Sequence, residues 1–127
     1  MEMALLKAKQ SAFLEETCSY YNSTTRNTND KGYCKYYPAH DKTEGCAIGR
    51  KIADKDLCKK LDSISFNGIF RDEIFNKLPY NLKELGKNFL DYIQNLHDKP
   101  LNWDENGLSE EGIKIKTLII NKFELNK

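Results

Sequence analysis

The chain has 127 residues, 39% of them hydrophobic and 31% charged. That length and composition fit one folded domain, residues 1–127, and exclude both a disordered chain and a second core. Lys plus Arg (20) nearly balance Asp plus Glu (19), so no overall field draws the protein to nucleic acid or to an anionic membrane.

The elements follow in chain order. From Glu2 to about Tyr21 the apolar positions Leu5, Ala8, Ala12, Leu14 and Cys18 mostly recur every three or four residues, which predicts an amphipathic helix. Residues 22–32 contain no apolar side chain. Their Asn, Asp, Ser and Thr groups compete with regular backbone bonding, so a mobile polar loop is expected. Two strand-compatible stretches, 33–37 and 46–52, flank a turn-rich segment and predict an antiparallel hairpin with Cys34, Tyr36, Cys46 and Ile48 facing inward. Asp54 caps a short helix through about Leu61, a second short helix runs from Asp72 to Leu78, and the stretch between them is ambiguous. Leu82, Leu85, Phe89, Ile93 and Leu96 place a helix over residues 82–97 with its stripe in the core. A connector carrying Trp103 leads to Ser109, which caps a final helix opened by Glu110 and Glu111. The fold class expected is α+β: a mainly helical single domain with a short antiparallel hairpin.

The run 1–7 lacks the long apolar stretch of a signal peptide, and no stretch approaches 18 apolar residues, so a cytoplasmic protein without a membrane partner is expected. For such a chain all four cysteines, Cys18, Cys34, Cys46 and Cys58, are expected as free thiols. Cys34, Cys46 and Cys58 lie twelve apart with His40 between the first two, yet no closely spaced Cys pair is present, so neither metal nor cofactor is expected.

Three features share an order and spacing: Cys34-x-Tyr36, Gly45-Cys46-Ala47-Ile48-Gly49-Arg50-x-Ile52, and Gln94-x-x-His97-Asp98 followed by Trp103. Over about residues 33–103 the chain resembles a family of short proteins from tailed phages and prophages, with Ile93 standing where the family has Leu before the Gln. The resemblance implies a phage-type origin and names no reaction. By analogy with small phage proteins that sequester host defence signals, the expected function is capture, without chemistry, of a cyclic-nucleotide or ADP-ribose-type ligand by a homo-oligomer.

The residues expected to bind that anion follow from their chemistry. Gly49 and Arg50 offer a backbone N–H and a guanidinium to phosphate, and Arg26 and Arg71 add cations. Gln94 and His97, three apart and so on one helix face, would hydrogen-bond a ligand beside Trp103 or Tyr37, either of which would stack on a base. Two other readings stand beside this one. One is an inhibitor or adaptor that binds a host macromolecule through a surface patch; the other is a small hydrolase using Cys34 or Cys46 with His97 and Asp98.

Overall fold

The computed structural model describes residues 2–29, 31–42, 44–65 and 72–125. Within them lie six α-helices: α1 (Glu2–Tyr20), α2 (Lys55–Ser65), α3 (Asp72–Lys77), α4 (Tyr80–Lys83), α5 (Lys87–Asp98) and α6 (Glu110–Lys122). They are joined by 3-10 turns at Gly49–Lys51 and Pro100–Asn102 and by one antiparallel two-stranded ribbon, β1 (Trp103–Asp104) and β2 (Gly107–Leu108). The fold is therefore mainly helical α+β, as expected, but its hairpin lies elsewhere. Residues 33–37 and 46–52 form no strand pair. Cys34 makes a single bridge to Thr28, and Gly49–Lys51 winds into a turn.

Gly45 and Gly49 account for the difference. A Cβ on either would stand 2.0 Å or 2.3 Å from the Tyr36 carbonyl oxygen, so the segment crosses Tyr36 at backbone contact instead of lying beside it at strand spacing. The inward set nevertheless holds: Cys34, Tyr36, Cys46 and Ile48 are all buried.

α1 turns a different face inward from the one its apolar letters suggest. Leu5, Ala8 and Ala12 are exposed, while Gln10, Phe13, Leu14 and Thr17 are buried. Two polar residues sit on that face because each is satisfied there. Gln10 Nε2 donates to the Leu85 carbonyl at 2.9 Å, and Thr17 Oγ1 donates to the Phe13 carbonyl at 2.8 Å. The expected helix over 82–97 is broken in two at Gly86, whose φ of +94° is readily adopted only by glycine, and α5 starts at the next residue. The core stripe survives the break, with Leu82, Leu85, Phe89, Ile93 and Leu96 all buried.

α5 is the central element. It packs on α1 and α6, with Phe89 edge-on to both Phe13 and Phe123. Asp54 caps α2 by accepting from the amides of Asp56 and Leu57. Ser109 caps α6 by accepting from Gly112 N–H, and at Gly112 a Cβ would stand 2.1 Å from the Asn102 carbonyl oxygen, which pins α6 against the Pro100–Asn102 turn. No helix among the described residues is long and apolar enough to cross a membrane.

Candidate functional site

The motif residues converge on the C-terminal end of α5, where the segment from Tyr21 to Ile52 is laid over it. Asn27, in the polar run expected to be mobile, is fully buried. Its side-chain amide donates to the carbonyls of Lys35 (2.7 Å) and Tyr37 (2.9 Å), and its Oδ1 accepts from Ala39 N–H. Its own backbone N–H donates to His97 Nε2 at 3.2 Å. His97 Nδ1 lies 2.8 Å from Asp98 Oδ1, and Asp98 Oδ2 accepts from Cys34 N–H at 2.8 Å. With Nε2 accepting, the ring proton sits on Nδ1, so the imidazole is neutral. Burial acts on both partners of this pair, lowering the His97 pKa and raising that of Asp98, and their mutual bond works against both shifts. A second carboxylate repeats the device: Asp62 accepts from the amides of Tyr36 and Tyr37 at 2.6 and 3.1 Å and from Lys35 Nζ at 3.3 Å.

Cys34 and Cys46 are joined by a disulfide, and only Cys18 and Cys58 are free. The expectation of four free thiols is thereby corrected. The folding-back at Tyr36 carries Cys46 against Cys34, where Cys46 N–H also donates to the Lys35 carbonyl at 2.9 Å. Spacing along the chain gave no sign of that proximity. The two remaining thiols are poor nucleophiles: burial pushes the Cys18 thiol up to about 11 and raises Cys58 as well. With Cys34 and Cys46 bonded and His97 engaged at both nitrogens, no thiol–imidazole dyad is assembled among the described residues.

The expected ligand-binding residues do not form one surface. The Arg50 side chain is 5% exposed and reaches Glu16 Oε1 and Thr17 Oγ1, with Phe13 and Tyr20 rings 5.4 and 5.2 Å from its guanidinium carbon. It ties the Gly49–Lys51 turn to α1 rather than facing solvent. Gly49 is buried against Tyr36. Arg26 Nη1 donates to the carbonyls of His97 (3.2 Å) and Asp98 (2.9 Å), satisfying the end of α5. Trp103 does the same from the other side, its Nε1 donating to the carbonyls of Leu96 and His97. Gln94 Nε2 donates to Tyr36 Oη at 3.2 Å, deep in the core. Tyr37 is half-buried under Lys59, whose Nζ is 4.8 Å from the ring centroid. Arg71 lies outside the described residues.

What the structure adds is a polar cavity of about 430 Å³ lined by Thr28, Asn29, Cys34, Lys35, Ala39, His40 and Asp62. A smaller groove of about 190 Å³ between α5 and α6 is lined by Tyr92, Asn95, Lys99, Asn102, Ile115 and Leu118. Beside it Leu101 is 79% exposed, and Ile113 and Leu118 are exposed on α6. The roles of Asn27, Asp62 and Tyr21, whose Oη donates to the Gly45 carbonyl at 2.7 Å, had no sequence signal beyond residue type. No family model matches the chain, and no curated protein or solved structure matches it either.

Proposed function

We propose that this chain is a phage-type binding protein that works without chemistry, as an inhibitor or adaptor engaging a macromolecular partner through the exposed apolar face of α6 and the Pro100–Asn102 turn. The observation that carries the reading is how the polar residues are used. His97, Asp98, Arg26, Arg50, Gln94 and Trp103 all bond within the fold, while Leu118 is exposed at an apolar groove and Leu101 is exposed in the neighbouring turn. The phage-type origin rests on the order of the Cys-x-Tyr, Gly-x-Cys-Ala-Ile-Gly-Arg and Gln-x-x-His-Asp motifs. Its setting in this reading is the host cytoplasm, and a reducing cytoplasm would hold Cys34 and Cys46 as two thiols.

Capture of a small anionic, nucleotide-like ligand is the second reading, favoured by the 430 Å³ polar cavity. There Lys35 and His40, in place of Arg50, would meet the anion. The two readings separate in one comparison. Leu101→Asp with Leu118→Asp should abolish the protein's biological effect and its co-purifying partner while leaving the melting temperature unchanged. Calorimetric titration with cyclic dinucleotides, cyclic trinucleotides and ADP-ribose derivatives should stay silent for the parent chain. Heat on that panel, lost in His40→Ala and kept in the double variant, would replace the surface reading with the ligand reading.

A further inference from the structure

We propose that the Cys34–Cys46 pair, once reduced, joins His97 and Asp98 as a closed site for a divalent cation of zinc type. Cys34 Sγ, a ring nitrogen of His97 and a carboxylate oxygen of Asp98 lie within 4.8 Å of one another, and all three residues are buried. Cys46, itself fully buried, is bonded to that same sulfur, so a fourth donor stands one bond away. Two thiolates, an imidazole and a carboxylate are the donor types that select zinc over harder cations. Bonds of about 2.0–2.3 Å set tetrahedral donors roughly 3.3–3.8 Å apart, a spread these atoms reach by small movements.

The neighbours suit a charged centre. Two thiolates and a carboxylate around a dication leave one net negative charge, and the Arg26 guanidinium, bonded to the His97 and Asp98 carbonyls, lies beside it. The cation takes the place of the proton between His97 Nδ1 and Asp98 Oδ1, and that proton moves to Nε2. Two hydrogen bonds are given up, the His97 Nδ1–Asp98 Oδ1 bond that the cation replaces and the 3.2 Å contact from Asn27 N–H to Nε2, which then carries a proton itself. All four donors come from the fold and are shielded from water, so the site is structural and keeps no open position for substrate.

The chemistry balances with a phosphine as reductant. The sulfur–sulfur bond takes up two electrons, phosphorus is oxidised to the phosphine oxide with oxygen from water, and the two protons of that water appear on the thiols. The cation then displaces one proton from each thiol, and both go to solvent. The oxidised chain has no thiolate to offer here, so disulfide and metal are alternative closures of the same cluster.

Cobalt(II), which reports thiolate ligation by its charge-transfer and tetrahedral d–d bands, is the probe. The full chain reduced with a phosphine should take up about one cobalt per chain, a stoichiometry set by the one such cluster among the described residues, with zinc displacing it, and the oxidised chain should take up none. Cys18→Ser and Cys58→Ser should bind as the parent does, whereas Cys34→Ser and Cys46→Ser should lose the thiolate bands or weaken binding at least about tenfold. A reduced parent chain that melts higher with zinc than without it supports the site independently of any variant. A reduced parent chain with no thiolate–cobalt band overturns the proposal, and so does cobalt binding of parental strength in Cys34→Ser or Cys46→Ser, or a band that disappears with Cys18→Ser or Cys58→Ser.

Discussion

Replacing Arg50 by alanine separates a structural arginine from a ligand-binding one. Its side chain is 5% exposed, and the substitution removes three kinds of contact. The Nη2 bond to Thr17 Oγ1 at 3.1 Å is charge-assisted and partly buried, a class worth about 1.5–3 kcal/mol. The ion pair with Glu16 counts for less, because the Glu16 side chain is 49% exposed, and exposed pairs contribute about 0–1 kcal/mol. Phe13 and Tyr20 each lie within reach of the guanidinium, adding about 0.5–1 kcal/mol apiece. Arg50 Nε, buried without a partner, already carries a desolvation cost in the parent chain and pulls the total down. The expected loss is therefore about 2–4 kcal/mol, which at this chain length lowers the melting temperature by roughly 6–15 °C. Chemical and thermal denaturation of the variant measure it directly. A loss below about 1 kcal/mol, the range of ordinary surface changes, would refute the reasoning and return Arg50 to the pool of free cations.

Further outcomes follow from the same packing. Phe89→Ala should destabilise by about 3–5 kcal/mol in a chemical melt, since its ring is 1% exposed between Phe13 and Phe123. Thiol titration of the unfolded chain should find two free cysteines before reduction and four after it. In the native chain Cys18, raised from 9.0 to about 11, should alkylate with roughly 100-fold less thiolate than an unperturbed cysteine. Glu16 is held below its ordinary 4.5 by the side-chain bonds from Arg50 and Lys51. Its contribution is thus fully present above pH 4.5 and lost as the pH falls through the lowered value. Glu16→Gln should flatten stability against pH in that acid window while leaving the slope above pH 4.5 unchanged.

How far the sequence carried depended on whether a signal was local. The stripe from Leu82 to Leu96, the Asp54 and Ser109 caps and the ribbon-bearing helical class are all short-range patterns, and the structure bears them out. The break at Gly86 was missed because the apolar period continues across it. The inward face of α1 was misplaced because Gln10 and Thr17, polar by type, are buried through bonds to backbone carbonyls that no window of sequence contains. The site shows the same division. Cys34, Gly45, Cys46, Gly49, His97, Asp98 and Trp103 stood out in the sequence and do meet around Tyr36 and the end of α5. Their roles were not legible, because the disulfide, the buried Asn27 and the pairing of Arg50 with Glu16 join residues 12, 70 and 34 positions apart.

In the oxidised chain these motif residues bond the segment from Tyr21 to Ile52 onto α5. Native-state amide hydrogen exchange of the oxidised chain tests it most directly, because Asn27, Cys34, Tyr36 and Cys46, all buried, each donate a backbone N–H to a named partner. These four amides should be protected to nearly the level of the α5 interior, and Asp98→Asn should selectively lower protection at Cys34. Exchange at Asn27 and Cys34 as fast as in an unfolded chain, with α5 still protected, would contradict it.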